Sequence, residues 1–269
     1  MTSQRVAYPV ATTRRRVTNI AALLRRVHAP TLLVLILLVI GWALISARTS
    51  PYVLPSPEKV GRTLLDLARS GNLWGHVFAT LYRVTAGFLL GTGIALVMGL
   101  LASSRQTARA VLRDINAVLS ATSVFVWIVL ALIWFGLTDR APIFTTLMIT
   151  IPVLLSNVFE GIDSLDRKFL EMAQVYRFGP YTTFFHITVP SLVPYLFAGM
   201  RVAFALGLRV SVVAEIFGVS SGVGYMMNYA RDTLRTDAVF AWAVVLILMM
   251  LLLDNLVFAP LLRWFTRWR

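Results

Sequence analysis

The sequence predicts an all-α integral membrane protein with six transmembrane helices. Apolar runs of 17 or more residues recur along the chain, and runs of that length are typical of spanning helices. The composition is 58% hydrophobic and only 14% charged, whereas soluble domains carry about 25% charged residues. Polar links between the runs hold most of the arginines, as expected for loops at a membrane surface.

The chain begins with a basic arm, residues 1–29, which carries a triple arginine at 14–16. Residues 30–269 form the predicted transmembrane domain, and its first span covers residues 31–47. A signal peptide is the alternative, but its apolar core is usually about 7 to 15 residues long and precedes a small-residue cleavage site. The sequence around Ala47 is a poor site of that kind, which favours a retained span.

A short amphipathic helix is predicted next, beginning at Pro57 and ending near Gly71, lying at the outer membrane surface. Ser56 is placed to cap its first turn, and Pro57 fits the first helical position. The second span follows at residues 77–102. Its Gly87 and Gly91 are four apart, so another helix is expected to approach closely there.

Four further spans complete the predicted bundle, and the links between them differ in character. They cover residues 115–135, 141–159, 191–217 and 238–262. A polar, aromatic-rich segment of residues 164–189 separates the fourth span from the fifth, and a glycine-containing loop of residues 218–237 separates the fifth from the sixth.

The distribution of basic residues predicts the orientation. Six spans put both termini on one side, together with the 164–189 segment. That side carries 15 of the basic residues outside the spans and the other side carries 7. Because Lys and Arg accumulate in cytoplasmic loops, both termini and this segment are predicted to be cytoplasmic. The arginines behind the net charge of +13 are scattered, which argues against a nucleic-acid partner.

Several kinds of chemistry find no support in the sequence. There is no cysteine, which excludes disulfides and thiol catalysis. No phosphate-binding P-loop, paired histidines or Gly-x-Ser-x-Gly elbow occurs. We therefore expect no catalytic residues, no metal site and no cofactor in this chain, and a membrane-embedded enzyme is disfavoured.

Charged residues inside the predicted spans are the informative ones, because such charges normally face protein or water. They are Arg83, Arg201, Arg209, Glu215 and Asp254. Arg209 and Glu215 are six apart, roughly 600° around a helix, so they face different ways and each needs its own partner. Two roles remain open for them: lining a pathway, or forming a structural ion pair with another span or subunit. Asp254 is interpreted as structural.

The candidate pathway residues combine those two charged residues with three polar or aromatic ones. The full set is Ser123, Trp127, Asn157, Arg209 and Glu215.

The 164–189 segment also resembles a known family. Glu171, Met172 and Ala173 open a stretch that resembles the EAA loop of ABC importer permeases, and Pro190 closes it. Arg177 stands where the family glycine is expected, with Gly179 two residues later. Further stretches resemble the nitrate/sulfonate/taurine branch, and together they cover roughly residues 50–265: Leu54-Pro55-Ser56-Pro57, Ser70-Gly71-Asn72-Leu73-Trp74, Ile133-Trp134-Phe135-Gly136, Val213-Ala214-Glu215 and Gly222-Val223-Gly224-Tyr225.

The resemblance implies a permease with the type I ABC importer fold in a bacterial-type inner membrane. Its expected partners are a second permease subunit that completes a homodimer, two ATPase subunits that carry ATP and Mg, and an extracytoplasmic binding protein. The implied solute is an organic or inorganic oxoanion such as a sulfonate or nitrate. A pyrimidine vitamin precursor or another small organic solute is the alternative. A secondary transporter and a scaffold without transport activity are the competing classes.

The resemblance also implies a cytoplasmic coupling loop that docks on the ATPase. Glu171 would orient its helix, Ala173 would pack closely, and Gly179 would make the turn of the family glycine. Pro180 is expected to break the helix. The implied coupling residues are Glu171, Ala173, Tyr176, Arg177, Gly179, Pro180, Tyr181, Phe184 and Phe185.

Overall fold

The computed structural model describes residues 29–103, 106–165 and 167–261, which fold into helices joined by short turns. In chain order the α-helices are α1 (Ala29–Ala47), α2 (Pro57–Arg69), α3 (Asn72–Ser103), α4 (Gln106–Ala121), α5 (Val124–Phe135), α6 (Arg140–Asp163), α7 (Arg167–Val175), α8 (Pro180–Thr183), α9 (Val189–Gly218), α10 (Val223–Asp232) and α11 (Thr236–Leu253). A π-helical segment, Phe184–Thr188, precedes α9, and a second, Asp254–Phe258, follows α11.

Helix α6 forms the centre of the bundle, packed between α3 and α9. The close approach predicted at Gly87 and Gly91 of α3 is confirmed. A Cβ at Gly87 would lie 2.5 Å from the carbonyl oxygen of Ile143, and one at Gly91 would lie 2.8 Å from Cβ of Thr150. Neither position has room for a larger residue, so the two helix backbones touch along this line.

Four helical stretches of the described residues are long and apolar enough to cross a membrane. They are Asn72–Leu101, Arg140–Asp163, Tyr181–Gly218 and Thr236–Leu261. The first predicted span falls on α1, whose shorter apolar stretch is Leu33–Ala47. Its contacts with the bundle include Trp42, whose Nε1 donates to the Pro55 oxygen at 3.1 Å and whose ring stacks on Phe240. The total of six spans stays a prediction.

The third predicted span, residues 115–135, falls on a bent pair of helices that together are apolar enough to form one broken span. Helices α4 and α5 meet at an angle of 89°. Ser123, at the bend, has an extended backbone with ψ 139° and is the N-cap of α5. The Thr122 hydroxyl donates a hydrogen bond to the Val118 carbonyl of the preceding turn at 2.9 Å. Such side-chain bonds compete with helix continuation, and two hydroxyl residues in succession end α4.

The amphipathic helix predicted after the first span is confirmed as α2. The Ser56 hydroxyl accepts a hydrogen bond from the Lys59 amide at 3.3 Å, and Pro57 occupies the first turn. Thr63 ties this helix to the start of α11 by donating to an Asp237 carboxylate oxygen at 2.9 Å.

The predicted basic arm lies outside the described residues, apart from Ala29, which begins α1. The division of the chain at residue 29 therefore stays a prediction.

Candidate functional site

Two regions at opposite ends of the bundle hold the candidate functional residues. The loop end is the end where α6 stops and α9 begins, with the 164–189 segment between them. The cluster end is the end where α3 and α6 begin and α9 stops. Helix α9 therefore runs antiparallel to α3 and α6, and the two ends lie on opposite sides of the bundle.

The 164–189 segment folds as two helices with a turn between them. Helix α7 is followed by a turn at residues 176–179, then by α8 and the π-helical segment Phe184–Thr188. The predicted break at Gly179 and Pro180 is thus found between the two helices. Ala173 is buried, as its implied packing role requires, whereas Glu171 is exposed.

Helix α7 ends in a Schellman motif, with paired hydrogen bonds around a left-handed residue. The Phe178 amide donates to the Ala173 carbonyl at 2.8 Å, and the Arg177 amide donates to the Gln174 carbonyl at 3.0 Å. Arg177 itself has φ +52°. This position is usually glycine, because other residues meet a steric penalty in the left-handed region. Arg177 therefore occupies a position that favours glycine.

Gly179 does not make this turn. Its φ lies outside the left-handed region, and a Cβ there would meet nothing within 4 Å. The expectation that Gly179 makes the turn of the family glycine is therefore wrong. The left-handed conformation is found at residue 177, where an arginine adopts it.

Aromatic side chains on both sides of the turn are largely exposed. Tyr176 is 69% exposed, Tyr181 75% and Phe185 47%. Tyr181 and Phe185 pack with ring centroids 4.5 Å apart, and Phe184 meets Phe185 edge-on at 5.2 Å. Phe184 is half-buried. Exposed aromatic residues grouped in this way are typical of surfaces that contact another protein.

Ion pairs fix the helix that leads into this segment. The Asp163 carboxylate, at the end of α6, accepts hydrogen bonds from both Arg109 and Arg113 of α4. The Arg113 guanidinium also lies over the Phe159 ring, 5.6 Å from its centroid. Helix α4 is thereby attached to the end of α6 from which the segment emerges.

The cluster end contains a buried network centred on Arg83 of α3. The side chains of Arg83 and Glu215 are 2% and 0% exposed, and Nη1 of Arg83 donates to Glu215 at 3.0 Å. Nε and Nη2 donate to Asp139 at 3.0 and 2.7 Å. Nη1 and Nη2 also donate to the carbonyl and hydroxyl oxygens of Ser221 at 2.7 and 2.6 Å. These bonds match the five N–H groups of a guanidinium.

Glu215 links this network to the loop before α10. Its second oxygen accepts from the Thr80 hydroxyl at 2.8 Å and from the Gly224 amide at 3.0 Å. Thr80 in turn accepts from the Val223 amide at 2.9 Å. The carboxylate thus joins α3, α9 and the first turn of α10, which matches the structural alternative left open by the sequence.

Two glycines make that approach sterically feasible. Gly222 has φ +110°, and a Cβ there would lie 2.5 Å from a Glu215 oxygen. A Cβ at Gly224 would lie 2.1 Å from the Val212 carbonyl oxygen. In the resembling stretch from Gly222 to Tyr225, Gly222 therefore makes room for the buried carboxylate and Gly224 makes room for the backbone of α9.

The structure places the five candidate pathway residues in different surroundings. Ser123 and Arg209 are exposed, Trp127 and Asn157 are half-buried, and Glu215 is buried in the network above. Asn157 packs under Gly199 and donates to the Val153 carbonyl at 2.8 Å. Trp127 lies edge-on to Phe144. No hydrogen bond or ion pair between these five is seen in the described part of the chain, so their shared role stays a prediction.

Arg201 and Asp254 form a second ion pair within the spans. Nε and Nη2 of Arg201 donate to the two Asp254 oxygens, both at 2.5 Å. The side chains are 52% and 29% exposed, unlike the buried pair of Arg83 and Glu215. Asp254 begins the π-helical segment after α11, and the pair joins that segment to α9.

Sequence reasoning did not identify Asp139, Ser221 or Thr80 as members of the Arg83 network. They lie far apart in the chain and carry no motif of their own. The available signal was the presence of opposite charges in two different spans. In the described residues, no group of three or more His, Asp or Glu side chains is placed to hold a metal ion.

Residues 87–268 match the family model described as the inner membrane component of binding-protein-dependent transport systems. The putative aliphatic sulfonates transport permease protein of Escherichia coli is 33% identical over 232 residues, covering 85% of this chain and 84% of that protein. Its Bacillus subtilis counterpart is 31% identical over 228 residues, covering 85% and 82%.

A further relative and a solved structure agree with these matches. The taurine transport system permease protein of Escherichia coli is 28% identical over 229 residues, covering 81% of this chain and 82% of that protein. The inward-facing structure of the MetNI methionine ABC transporter contains a chain that superposes with a TM-score of 0.60 at 16% identity. The superposition covers 72% of this chain and 96% of that chain, and it supports the fold alone.

Proposed function

This chain belongs to the inner membrane components of binding-protein-dependent transport systems, and we propose that it forms the membrane pathway for a small sulfonate-type oxoanion. It is the permease subunit of an ABC importer, and ATP is hydrolysed by a separate ATPase subunit. A binding protein delivers the solute in systems of this family. The match over residues 87–268 is the observation on which the proposal rests.

The 164–189 segment is the proposed ATPase contact. Tyr176, Tyr181 and Phe185 are exposed at the loop end, and the rings of Tyr181 and Phe185 pack against each other. Hydrophobic anchors of this kind account for much of the binding energy in protein interfaces. The coupling role covers the whole set identified from the sequence: Glu171, Ala173, Tyr176, Arg177, Gly179, Pro180, Tyr181, Phe184 and Phe185.

The proposed solute class follows from the relatives. Two relatives are named as aliphatic sulfonate permeases and a third as a taurine permease, and taurine is itself a sulfonate. We place the pathway between this chain and a second permease subunit, which we propose to be an identical copy.

Co-purification tests the assembly. The tagged chain should retain an ATPase subunit in a one-to-one ratio, and the complex in proteoliposomes should take up a sulfonate that its binding protein recognises. Uptake should require ATP and stop in the absence of the binding protein. ATP-independent uptake by the isolated chain would contradict the proposal and support a secondary transporter.

Single-cysteine labelling tests the proposed orientation, with both termini and the loop end in the cytoplasm. The chain has no native cysteine. Gln174 is exposed at the loop end and Tyr52 is exposed beyond α1. In intact cells a membrane-impermeant maleimide should label Tyr52→Cys and leave Gln174→Cys unlabelled until the cells are opened. The reverse pattern would place the loop end outside.

A further inference from the structure

Two arginines on the same helix have different surroundings. Arg201 and Arg209 lie on α9, eight residues apart, and both are exposed in this chain. Arg201 is neutralised by Asp254 through two hydrogen bonds of 2.5 Å. Arg209 has no hydrogen bond or ion pair to any residue that the structure describes. A positive charge without a counter-charge inside a span requires water, a partner chain or an anion.

Arg209 lies on the open face of α9. This face carries Ala198, Val202, Ala205, Arg209 and Val213, which are exposed or half-buried and follow helical spacing. The opposite face packs on α6 through positions such as Gly199 and Gly207. The side chains around Arg209 on the open face are therefore small or medium apolar ones, and they leave the guanidinium accessible.

The depth of this face makes Ala205 the position that distinguishes a route through the protein from an arginine that reaches the membrane surface. If Glu215 of the cluster end marks one edge of the apolar layer, Arg209 lies about 9 Å inside that edge and Ala205 about 15 Å inside. An apolar layer is about 30 Å thick, so Ala205 lies near its middle. Water can reach Ala205 only along a water-filled route through the protein.

We propose that the open face of α9 lines the solute route and that Arg209 makes it selective for anions by pairing with a sulfonate group. A guanidinium presents several donors in one plane, which suits the oxygens of an oxoanion. Arg201 does not take this role, because Asp254 already occupies its donors. The inference rests on the proposed function and attributes the selectivity for that solute class to Arg209.

A cysteine at position 205 can measure the local charge. Ala205 is four residues from both arginines, so its Cβ lies about 6 Å from that of each. The assembled importer carrying Ala205→Cys would be treated in membrane vesicles with two thiol reagents of similar size. One is MTSES, which carries a sulfonate, and the other is MTSET, which carries a quaternary ammonium. Labelling would be followed on this chain only.

Arg209→Gln should lower the ratio of the MTSES labelling rate to the MTSET labelling rate by about tenfold. This is the combined effect of one unit charge at about 6 Å in water, which attracts MTSES and repels MTSET. Any change in thiol ionisation affects both reagents equally and leaves the ratio unaltered. Arg209→Lys should preserve the ratio to within about twofold.

The matched control is the double variant Arg201→Gln with Asp254→Asn, which removes one positive and one negative charge. It should leave the ratio nearly unchanged. Leu37→Cys on α1, in an exposed apolar stretch, supplies the rate expected of a lipid-facing position. Val202→Cys, seven residues from Arg209, repeats the measurement if the variant at position 205 does not assemble.

Labelling at position 205 no faster than at position 37 would overturn the solute route. A ratio that does not respond to Arg209→Gln would overturn the anion selectivity. Uptake by the unmodified importer tests the proposed function separately. If that importer transports no sulfonate but the ratio responds to Arg209, then the solute class is wrong while the charged route stands.

Discussion

Arg83 and Glu215 at the cluster end are almost wholly buried, with 2% and 0% of their side chains exposed. At the loop end the corresponding chemistry is open: Asp163 and Arg113 are half exposed, and the aromatic residues of the 164–189 segment face outward. The cluster end satisfies its own charges within one chain. The loop end leaves its paired charges half exposed and several of its aromatic rings facing outward, as the proposed ATPase contact requires.

Glu215→Ala should have the largest effect, because it breaks the buried pair. Arg83 would keep Asp139 and Ser221 but lose the carboxylate that joins α3 to α9. Removal of one partner from a buried ion pair typically costs about 3–5 kcal/mol. The thermal midpoint and the yield of assembled complex in detergent should both fall sharply. A variant of unchanged stability would contradict the self-contained character of the cluster end.

Glu215→Gln sharpens this result. Glutamine keeps the shape and can still accept hydrogen bonds from Thr80 and Gly224, while Arg83 keeps Asp139. We predict that the complex assembles but that solute-driven uptake is reduced, which would support a role of Glu215 in transport. Failure to assemble would assign Glu215 to structure alone.

The next effect belongs to the loop end. Combined Phe184→Ala and Phe185→Ala should weaken ATPase binding, because truncation of an aromatic anchor typically costs about 2 kcal/mol or more, roughly thirtyfold in affinity. Surface plasmon resonance with the purified ATPase would measure it. Solute binding by the extracytoplasmic binding protein should not change.

Tyr52→Ala provides the matched control for that measurement, since Tyr52 is an exposed aromatic residue away from the segment. It should leave ATPase affinity intact. If the double phenylalanine variant shows full docking and full ATP-driven uptake, the 164–189 segment is not the main ATPase contact.

A smaller effect tests backbone strain at both ends. Leu234 has φ +57° and ends α10 with the same pair of bonds that Arg177 makes for α7. Arg177→Gly and Leu234→Gly should each relieve a left-handed residue, by about 1 kcal/mol before the greater entropy of unfolded glycine is subtracted. Hydrogen exchange at the amides of residues 178 and 235 should slow by up to about fivefold.

Faster exchange in either glycine variant would mean that side-chain contacts outweigh the strain at that end. Arg177→Gly should also bind the ATPase normally if only the turn matters. Weaker ATPase binding by this variant would give the arginine side chain itself a part in docking.

The smallest effect is expected for Glu58→Gln on α2. Its ion pair with Arg62 spans one helical turn and is largely exposed. Pairs of this kind contribute about 0.3–0.5 kcal/mol. The thermal midpoint should therefore stay almost constant, in contrast to the loss expected for Glu215→Ala.

The elements that the sequence predicted well depend on local signals. Long apolar runs mark α3, α6 and α9, and the cap at Ser56 marks α2. The bend at Ser123 was not predicted, because the apolar pattern alone does not distinguish a continuous helix from one interrupted by two hydroxyl residues. The left-handed Arg177 was also missed, since glycine at position 179 offered a simpler turn.

The charged networks could be predicted only in part. The charges at Arg83 and Glu215 were identified as needing partners, but their pairing depends on how α3, α6 and α9 pack. The same holds for Arg201 and Asp254, which are 53 positions apart. A single sequence indicates that a buried charge has a partner and does not identify which one.

The Arg83 network also imposes an order on the synthesis of the chain. Asp139 follows Arg83 by 56 residues and Glu215 follows it by 132. At about 5–20 residues per second, roughly 3–11 s pass before Asp139 is made and roughly 7–26 s before Glu215 is made. During that interval the nascent α3 holds an arginine whose final partners do not yet exist. Asp139 supplies the first counter-charge, so a nascent chain should become more firmly inserted once the turn before α6 has entered the membrane.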